Sequence, residues 1–475
     1  MRTPSEFGRR IAKLSTEPAA RLDAVHSTLL DEPLQVDEWA LYEPDLNLAR
    51  GEDAAKAMAW MLKQSRGGAF YKVFFSGNVS CGKSTEITRL LKELEGLYAG
   101  VRIDIRKWVN SSDLEAHEVL LAIVFATNDA MLAKVEELDL QAQPDPELVR
   151  QIENWAKETE YVDSTKTERS AEGGWKGLQK FGIDVALRAR TSHVFTAETR
   201  EKQRRRFSEL MTLANLFLGE CYEVLRYTTG EPEWLVLLEE MDKSPNMQKL
   251  KEVLANAMLF KDLQAHFICN IPTAARIAEM GSQLALPVQR IYDVPVYNAD
   301  HTPNDGGRSA VGKALSKRVR DELFAEEQRD RLIVASGGNL RTLFRMVDSS
   351  AVHSVIRLER EKAPDPEAGP IGRDGVTHAI NGMRAEYRDR LGTVGLGENE
   401  VSTADKLQRL ADIYHQKLGH DIPDPVLVQL LAAGAVQIFN GEVRHAVHPL
   451  VVDVLADQAL LGEGKKIGAV PGGSI

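Results

Sequence analysis

The chain has 475 residues, more than one hydrophobic core ordinarily organises, so two or three domains are expected. Its hydrophobic fraction of 43% and charged fraction of 27% are those of a globular protein, and no uninterrupted apolar run is long enough to span a bilayer. The net charge of −11 argues against a chain that coats nucleic acid, and the widely spaced Cys81, Cys221 and Cys269 offer neither a disulfide framework nor zinc-ligand spacing, which fits a reducing, cytoplasmic setting.

In chain order, Met1–Arg10 lacks the apolar core of a signal peptide, and residues 1–45 read as a helical lead-in followed by an extended, proline-bearing segment. Glu52–Gln64 is predicted helical, with Ala54, Met58, Met61 and Leu62 on one face. Gly67-Gly68 then breaks the chain. The run Val73-Phe74-Phe75 reads as a buried strand entering Gly77-Asn78-Val79-Ser80-Cys81-Gly82-Lys83-Ser84-Thr85, and Glu86–Leu94 leaves it as a helix. This segment matches G-x-x-x-x-G-K-[ST] at every fixed position, between the strand and helix that the motif requires. Glycines at 77 and 82 allow turns that a side chain would obstruct, and the loop amides form an anion nest at a helix N-terminus. Lys83 is placed to reach the β- and γ-phosphates of a nucleoside triphosphate, and Ser84 to put its hydroxyl on Mg²⁺. Cys81 reads as a small filler at a variable loop position.

A strand is expected at Val101–Ile105 and a helix at Leu114–Leu138. An insertion spans about 140–195, with Arg169–Lys176 exposed, before a helix resumes over Thr199–Tyr227. The basic cluster Arg200–Arg206 fits a solvated helix face partnered by Glu201 and Glu209. Alternation of strands and helices implies an α/β domain with a mainly parallel sheet. The apolar run Trp234–Leu238 ends abruptly in Glu239-Glu240-Met241-Asp242. In phosphate-loop enzymes a carboxylate that organises the metal sits at such a strand end, and a neighbour can polarise the attacking water. Glu239 is the metal-side candidate, Glu240 the water-side candidate, and Asp242 a further acid. Another strand, His266–Asn270, ends in a polar residue suited to sensing the γ-phosphate, with Asn270 ahead of Thr273.

Residues 308–325 read as a basic helix, and Ile333–Arg341 as a glycine-rich break before another helix, near whose start Arg341 could reach a γ-phosphate from a lid. Lys362–Pro370 is a proline- and acid-rich linker or loop. Val426–Ala433 is a helix preceded by Asp424-Pro425, and Val436–Val447 is two alternating strands joined by Asn440-Gly441, a strong hairpin signal. Helix plus hairpin is the outline of a winged helix.

On the phosphate loop, the acidic strand Leu235–Lys243, the strand Phe267–Pro272, the run Gly338-Asn339-Leu340-Arg341 and the terminal helix-hairpin pattern, the chain resembles ATPases of the AAA+ and STAND group. Its layout is similar to that of origin-recognition and NLR-type switch ATPases. The resemblance implies an α/β fold: a P-loop NTPase core over 46–300 with a mainly parallel sheet, a small helical lid over 301–361, a linker or loop over 362–375, a C-terminal winged-helix domain over 376–461 and a disordered tail over 462–475. It implies ATP and Mg²⁺ as ligands. Lys83 and Ser84 match the first Walker motif, Glu239 stands where the family usually has Asp, Glu240 takes the acidic position beside it, and Asn270 and Arg341 look like the two sensors. Glu in place of Asp moves the carboxylate by about a bond length, in a site where roughly 1 Å matters. Arg276, Arg290, Arg308 and Arg318 are candidates for an arginine finger.

Three functions fit this pattern. The first is an ATP-binding switch with slow Mg²⁺-dependent hydrolysis that controls self-assembly, as a homo-oligomer or with a protein partner, in a role such as bacterial defence or signalling by resemblance. The second is a DNA-associated ATPase, although Glu442, Asp421, Asp424, Asp453 and Asp457 around the hairpin favour protein packing over DNA. The third is a nucleotide-binding scaffold that does not hydrolyse ATP.

Overall fold

The computed structural model describes residues 14–29, 32–138, 145–158, 205–229, 233–241, 244, 246–278, 284–392, 401–417, 419, 422–441 and 444–461. The expected exposed segment Arg169–Lys176, residues 200–204 of the basic cluster, Asp242 and the tail from Gly462 lie outside these residues. The chain divides into two compact units, one of Met1–Arg10, Ala55–Ser76 and Arg89–Gln289, the other of Ile11–Ala54, Gly77–Thr88 and Arg290–Ile475.

The first unit is built on a five-stranded sheet in the order β2-β3-β4-β1-β5. Its strands are β1 (Lys72–Gly77), β2 (Tyr98–Asp104), β3 (Glu233–Glu239), β4 (His266–Pro272) and β5 (Val288–Arg290). The pairs β2–β3 and β3–β4 are parallel, with Arg102 opposite Leu237, Asp104 opposite Glu239 and Leu238 opposite Cys269. All residues of β3 and β4 are buried, which is why Trp234–Leu238 and Phe267–Cys269 read as apolar runs and not as alternation. The architecture is the mainly parallel α/β fold expected.

Two helices supply most of the cover, Ala116–Leu138 and Phe207–Thr229; both belong to one apolar cluster with Phe74, Val236, Phe260 and Phe267. The Phe74 and Phe260 rings meet edge to face at 5.0 Å. Ala116–Lys134 is long and apolar enough to cross a membrane by composition alone, but most of it is buried inside this core. Part of the expected insertion is a helix, Pro146–Glu158, whose buried Trp155 donates from Nε1 to the Arg206 carbonyl at 3.2 Å. Arg206 also pairs with Glu209 at 2.8 Å, the partner expected for it.

In the second unit the described part of the lead-in, from Leu14, is a series of short turns. One of them, the 3-10 segment Val36–Leu41, is closed by a reciprocal capping box between Gln35 and Glu38. We label its helices α1 (Asp45–Arg50), α2 (Asp305–Ser316), α3 (Gln328–Ala335), α4 (Leu340–Arg360), α5 (Arg373–Arg390), α6 (Thr403–Tyr414), α7 (Pro425–Ala432) and α8 (Pro449–Asp457). The hairpin β6 (Val436–Phe439) and β7 (Arg444–Val447) pairs antiparallel, with Gly441 at φ +112° in its turn. Two expectations shift here. The helix expected over 308–325 stops at Ser316, and a separate 3-10 turn covers Asp321–Leu323. Ile333-Val334-Ala335 belongs to α3, so the glycine break shortens to Ser336–Asn339. Within Lys362–Pro370, Pro366–Ala368 forms a 3-10 turn, and Arg21 pairs with Asp365 at 2.9 Å and Glu367 at 2.8 Å.

Candidate functional site

The phosphate-loop sequence adopts a tight loop whose helix begins at Lys83. A Cβ at Gly77 would lie 2.4 Å from Ile291 Cγ2 and 2.7 Å from Cys81 Sγ, so only glycine fits. Ser80 and Gly82 take left-handed backbone, at φ +67° and +100°. Lys83 is buried, and its ammonium donates to the Gly77 and Asn78 carbonyls, both at 2.9 Å. A buried cation beside a helix N-terminus and a turn of backbone amides is a chemical fit for phosphate.

The loop is braced from α1. Arg50, buried itself, donates to the Cys81 carbonyl at 2.7 Å and to Asn47 Oδ1 at 2.8 Å, and lies 3.8 Å from Glu86. Asn47 Nδ2 donates to the Tyr42 hydroxyl at 2.7 Å, which donates to Glu86 at 3.0 Å. Arg50 thus adds a second buried positive charge at the loop. Sequence reading missed it because it lies 31 positions before Cys81, in a six-residue helix with no motif of its own.

A second contact comes from the start of α4. Asn339 caps that helix, its Oδ1 accepting from the Thr342 amide at 3.1 Å, and its Nδ2 donates to the Val79 carbonyl at 3.3 Å. Arg341, in the first turn, donates to Ser80 Oγ at 2.7 Å. Within this unit the structure therefore brings Arg341 onto the phosphate loop.

The carboxylate candidates lie in the sheet unit. Glu239 ends β3 and is buried; Arg102 of β2 grips it in a fork, Nε to Oε1 at 2.6 Å and Nη2 to Oε2 at 3.0 Å. Burial pulls the Arg102 guanidinium down, but the Glu239 charge and hydrogen bonds outweigh this and hold it above its ordinary value. Glu240 takes a left-handed φ of +69° and lies 3.1 Å from Arg106, which also chelates Asp104 at 3.0 and 3.1 Å. Neither arginine was expected at these carboxylates. The alternation of β2 placed Arg102 on a strand, but only the β2–β3 register reveals its partner. Asn270, at the next position along β4 after Cys269, is 2% exposed, and its Oδ1 has no hydrogen-bond partner among the described residues. Thr273 is buried at the start of the following helix, Thr273–Ala278. Among the described residues no group of three or more His, Cys, Asp or Glu side chains could hold a metal ion.

Of the finger candidates, Arg318 is corrected. It is 4% exposed, donates to the Leu41 carbonyl at 3.1 Å and the Ala314 carbonyl at 2.8 Å, and lies 4.7 Å from the Phe344 ring centroid. Burial lowers its pKa to about 10. A group that reaches into a neighbouring subunit must stand at the surface. Arg308 donates to the Val296 carbonyl at 2.9 Å and packs over Tyr297.

No protein-family model matches this chain, and no curated protein matches it. Among solved structures the chain is similar to a Walker-type ATPase of Pyrococcus abyssi, at 14% identity over 85% of this chain and 95% of that one, with a TM-score of 0.38. It is also similar to Cdc6p from Pyrobaculum aerophilum, at 11% identity over 86% and 94% of the two chains, with a TM-score of 0.31.

Proposed function

We propose that this chain is an ATP-binding molecular switch with slow, Mg²⁺-dependent hydrolysis, and that nucleotide state controls its self-assembly or its engagement of a protein partner. The observation that carries the reading is the contact of Arg341 with Ser80, 2.7 Å, on a loop that already holds the buried Lys83. A loop that presents backbone amides, a lysine and an arginine from a separate helix has the parts of a site that discriminates phosphate number.

In this reading Gly77–Thr85 binds the phosphates, Lys83 and Arg341 neutralise their charge, and Ser84 supplies a hydroxyl for Mg²⁺. Glu240 orients and deprotonates water, and Asn270 uses its unsatisfied amide oxygen to position that water. The helices and hairpin after α5 act as a winged helix that packs against protein. Mg²⁺ supplies charge stabilisation on the phosphate oxygens when bound. The chain's own acidic residue for it, Glu239, is engaged by Arg102, and that pairing favours a second reading: a scaffold that binds ATP and does not hydrolyse it.

Nucleotide binding by equilibrium titration, followed by steady-state phosphate release, separates the two. The switch reading expects binding that Lys83→Ala abolishes, and slow release that Glu240→Gln reduces at least tenfold without loss of binding. Wild-type release no faster than either variant, with binding intact, would leave the scaffold. Absence of binding would sink both.

A further inference from the structure

Gly337 and Gly338 both take left-handed backbone, at φ +61° and +82°. A Cβ at Gly337 would lie 2.8 Å from His448 Nε2, so the chain passes there without room for a side chain. A peptide between two glycines has little torsional preference of its own, and its carbonyl can turn to either side. Here that carbonyl is held. The buried Gln437 of β6 donates from Nε2 to the Gly337 oxygen at 2.6 Å. The neighbouring groups are held as well: His448 Nε2 bonds the Ser336 carbonyl at 3.1 Å, and the Gly338 amide donates to Ser336 Oγ at 3.1 Å. The next residue, Asn339, caps α4 and reaches Val79, and Arg341 reaches Ser80. Rotation of the Gly337–Gly338 peptide would re-aim the chain that enters α4, and with it the Arg341 guanidinium.

The residue type at 437 points to more than packing. All four residues of β6, Val-Gln-Ile-Phe, are buried. A buried amide costs free energy unless it is bonded, and an apolar side chain would fill the same place without that cost. The Gln437 amide instead meets one backbone carbonyl 100 positions away, in the loop that leads into Arg341. β6 also touches the phosphate loop directly, where Asn78 Nδ2 lies 3.4 Å from the Val436 carbonyl. The two contacts differ in consequence. Support of the phosphate loop acts on every phosphate ligand alike. Support of the loop before α4 acts through Arg341, and so on the third phosphate.

We propose that Gln437 is a positioning residue for Arg341: its bond to Gly337 holds the guanidinium on the phosphate loop, so that the seating of β6 sets how strongly the site prefers ATP to ADP. This inference rests on the nucleotide-binding reading above and on the role given there to Arg341. Coupling of this kind is reciprocal, and ATP tightens the seat of Gln437 more than ADP does.

The test uses the full chain and measures affinity for Mg²⁺-ATP and Mg²⁺-ADP by titration in wild type, Gln437→Met, Arg341→Ala and the double variant. Methionine keeps the length of the side chain and removes the donor. Gln437→Met is expected to lose about fivefold in affinity for ATP, the worth of one buried hydrogen bond, and less than about twofold for ADP. In the Arg341→Ala background the same substitution is expected to change neither affinity by more than about twofold, because the group it positions is gone. Equal losses for the two nucleotides, or no loss for ATP, overturn the proposal, as does an undiminished loss in the double variant. If Gln437→Met does not fold, Gln437→Asn, which draws the donor back by one methylene, decides by the same ratio of affinities. Wild type that binds neither nucleotide, or Arg341→Ala that keeps the wild-type preference, overturns the reading of the site itself. A preference lost in Arg341→Ala and kept in Gln437→Met overturns this inference alone.

Discussion

Arg102→Ala tests how strongly the acidic end of β3 is held. The pair joins a Glu239 side chain at 9% exposure to an Arg102 side chain at 35%, through two bonds of 2.6 and 3.0 Å. Breaking a fully buried ion pair by removing one partner costs about 3–5 kcal/mol, and an exposed pair contributes about 0–1. Arg102 is a third open to solvent, so water can replace part of what its head group gives. Glu239 is not, and would be left as a buried carboxylate without its fork. An intermediate loss of about 2 kcal/mol is expected. Glu239→Gln should cost less, about 1 kcal/mol, because the arginine left behind can still turn to solvent. The double variant should then lose about 1 kcal/mol less than the sum of the two, the coupling energy of the pair. Native-state amide exchange across β2 and β3 measures the opening of this sheet without requiring both units to unfold together. A coupling below about 0.5 kcal/mol would refute the view that the pair is tightly made, and Glu239 would then be free for a metal at little cost.

Three further outcomes are expected. Arg341→Ala should lose about tenfold in affinity for ATP and much less for ADP, seen by competition titration; equal losses would mean that Arg341 supports the loop and does not sense the third phosphate. Gly338→Ala should destabilise by about 3 kcal/mol or more, read as a lowered melting temperature, because a Cβ there meets the Val294 carbonyl oxygen at 2.0 Å on a backbone at φ +82°. His448 gives an acid dependence. It is buried, accepts from the Leu450 amide at Nδ1 and donates from Nε2 to the Ser336 carbonyl at 3.1 Å, and burial lowers its pKa from 6.5 to about 4. The unfolded chain takes up a proton near pH 6.5 that the folded one refuses until about pH 4. Stability is therefore fully present above this window and is lost as pH falls through it, by about 3 kcal/mol at most. His448→Gln should flatten that slope in urea titrations between pH 6.5 and 4.

The parts that could be read from sequence are those fixed by local physics. Gly77–Thr85 announces itself because its glycines, lysine and hydroxyl must lie within one turn, and β3 because a strand covered on both faces needs a continuous apolar run. Asn440-Gly441 marks its hairpin for the same reason: only certain residues accept that turn. What could not be read depends on register and on distance along the chain. Arg102 and Glu239 are 137 positions apart, and Asp293 and Asn78 are 215 apart. No spacing rule joins such pairs; pairing of β2 with β3 makes the first, and the place of β5 beside β1 makes the second.

The first of these pairs bears directly on the candidate metal-side carboxylate. Glu239 is one methylene longer than Asp, but its charge is also held by Arg102. Glu239 thus carries an internal counter-charge before any metal arrives. On the reading proposed above, Glu239 must give up Arg102 before it can serve a metal. If turnover is slow, that pairing and not the extra methylene is its expected cause. The decisive comparison is Glu239→Asp against Arg102→Ala: if phosphate release rises in Arg102→Ala and stays flat in Glu239→Asp, the arginine sets the rate. The reverse order would return the cause to side-chain length.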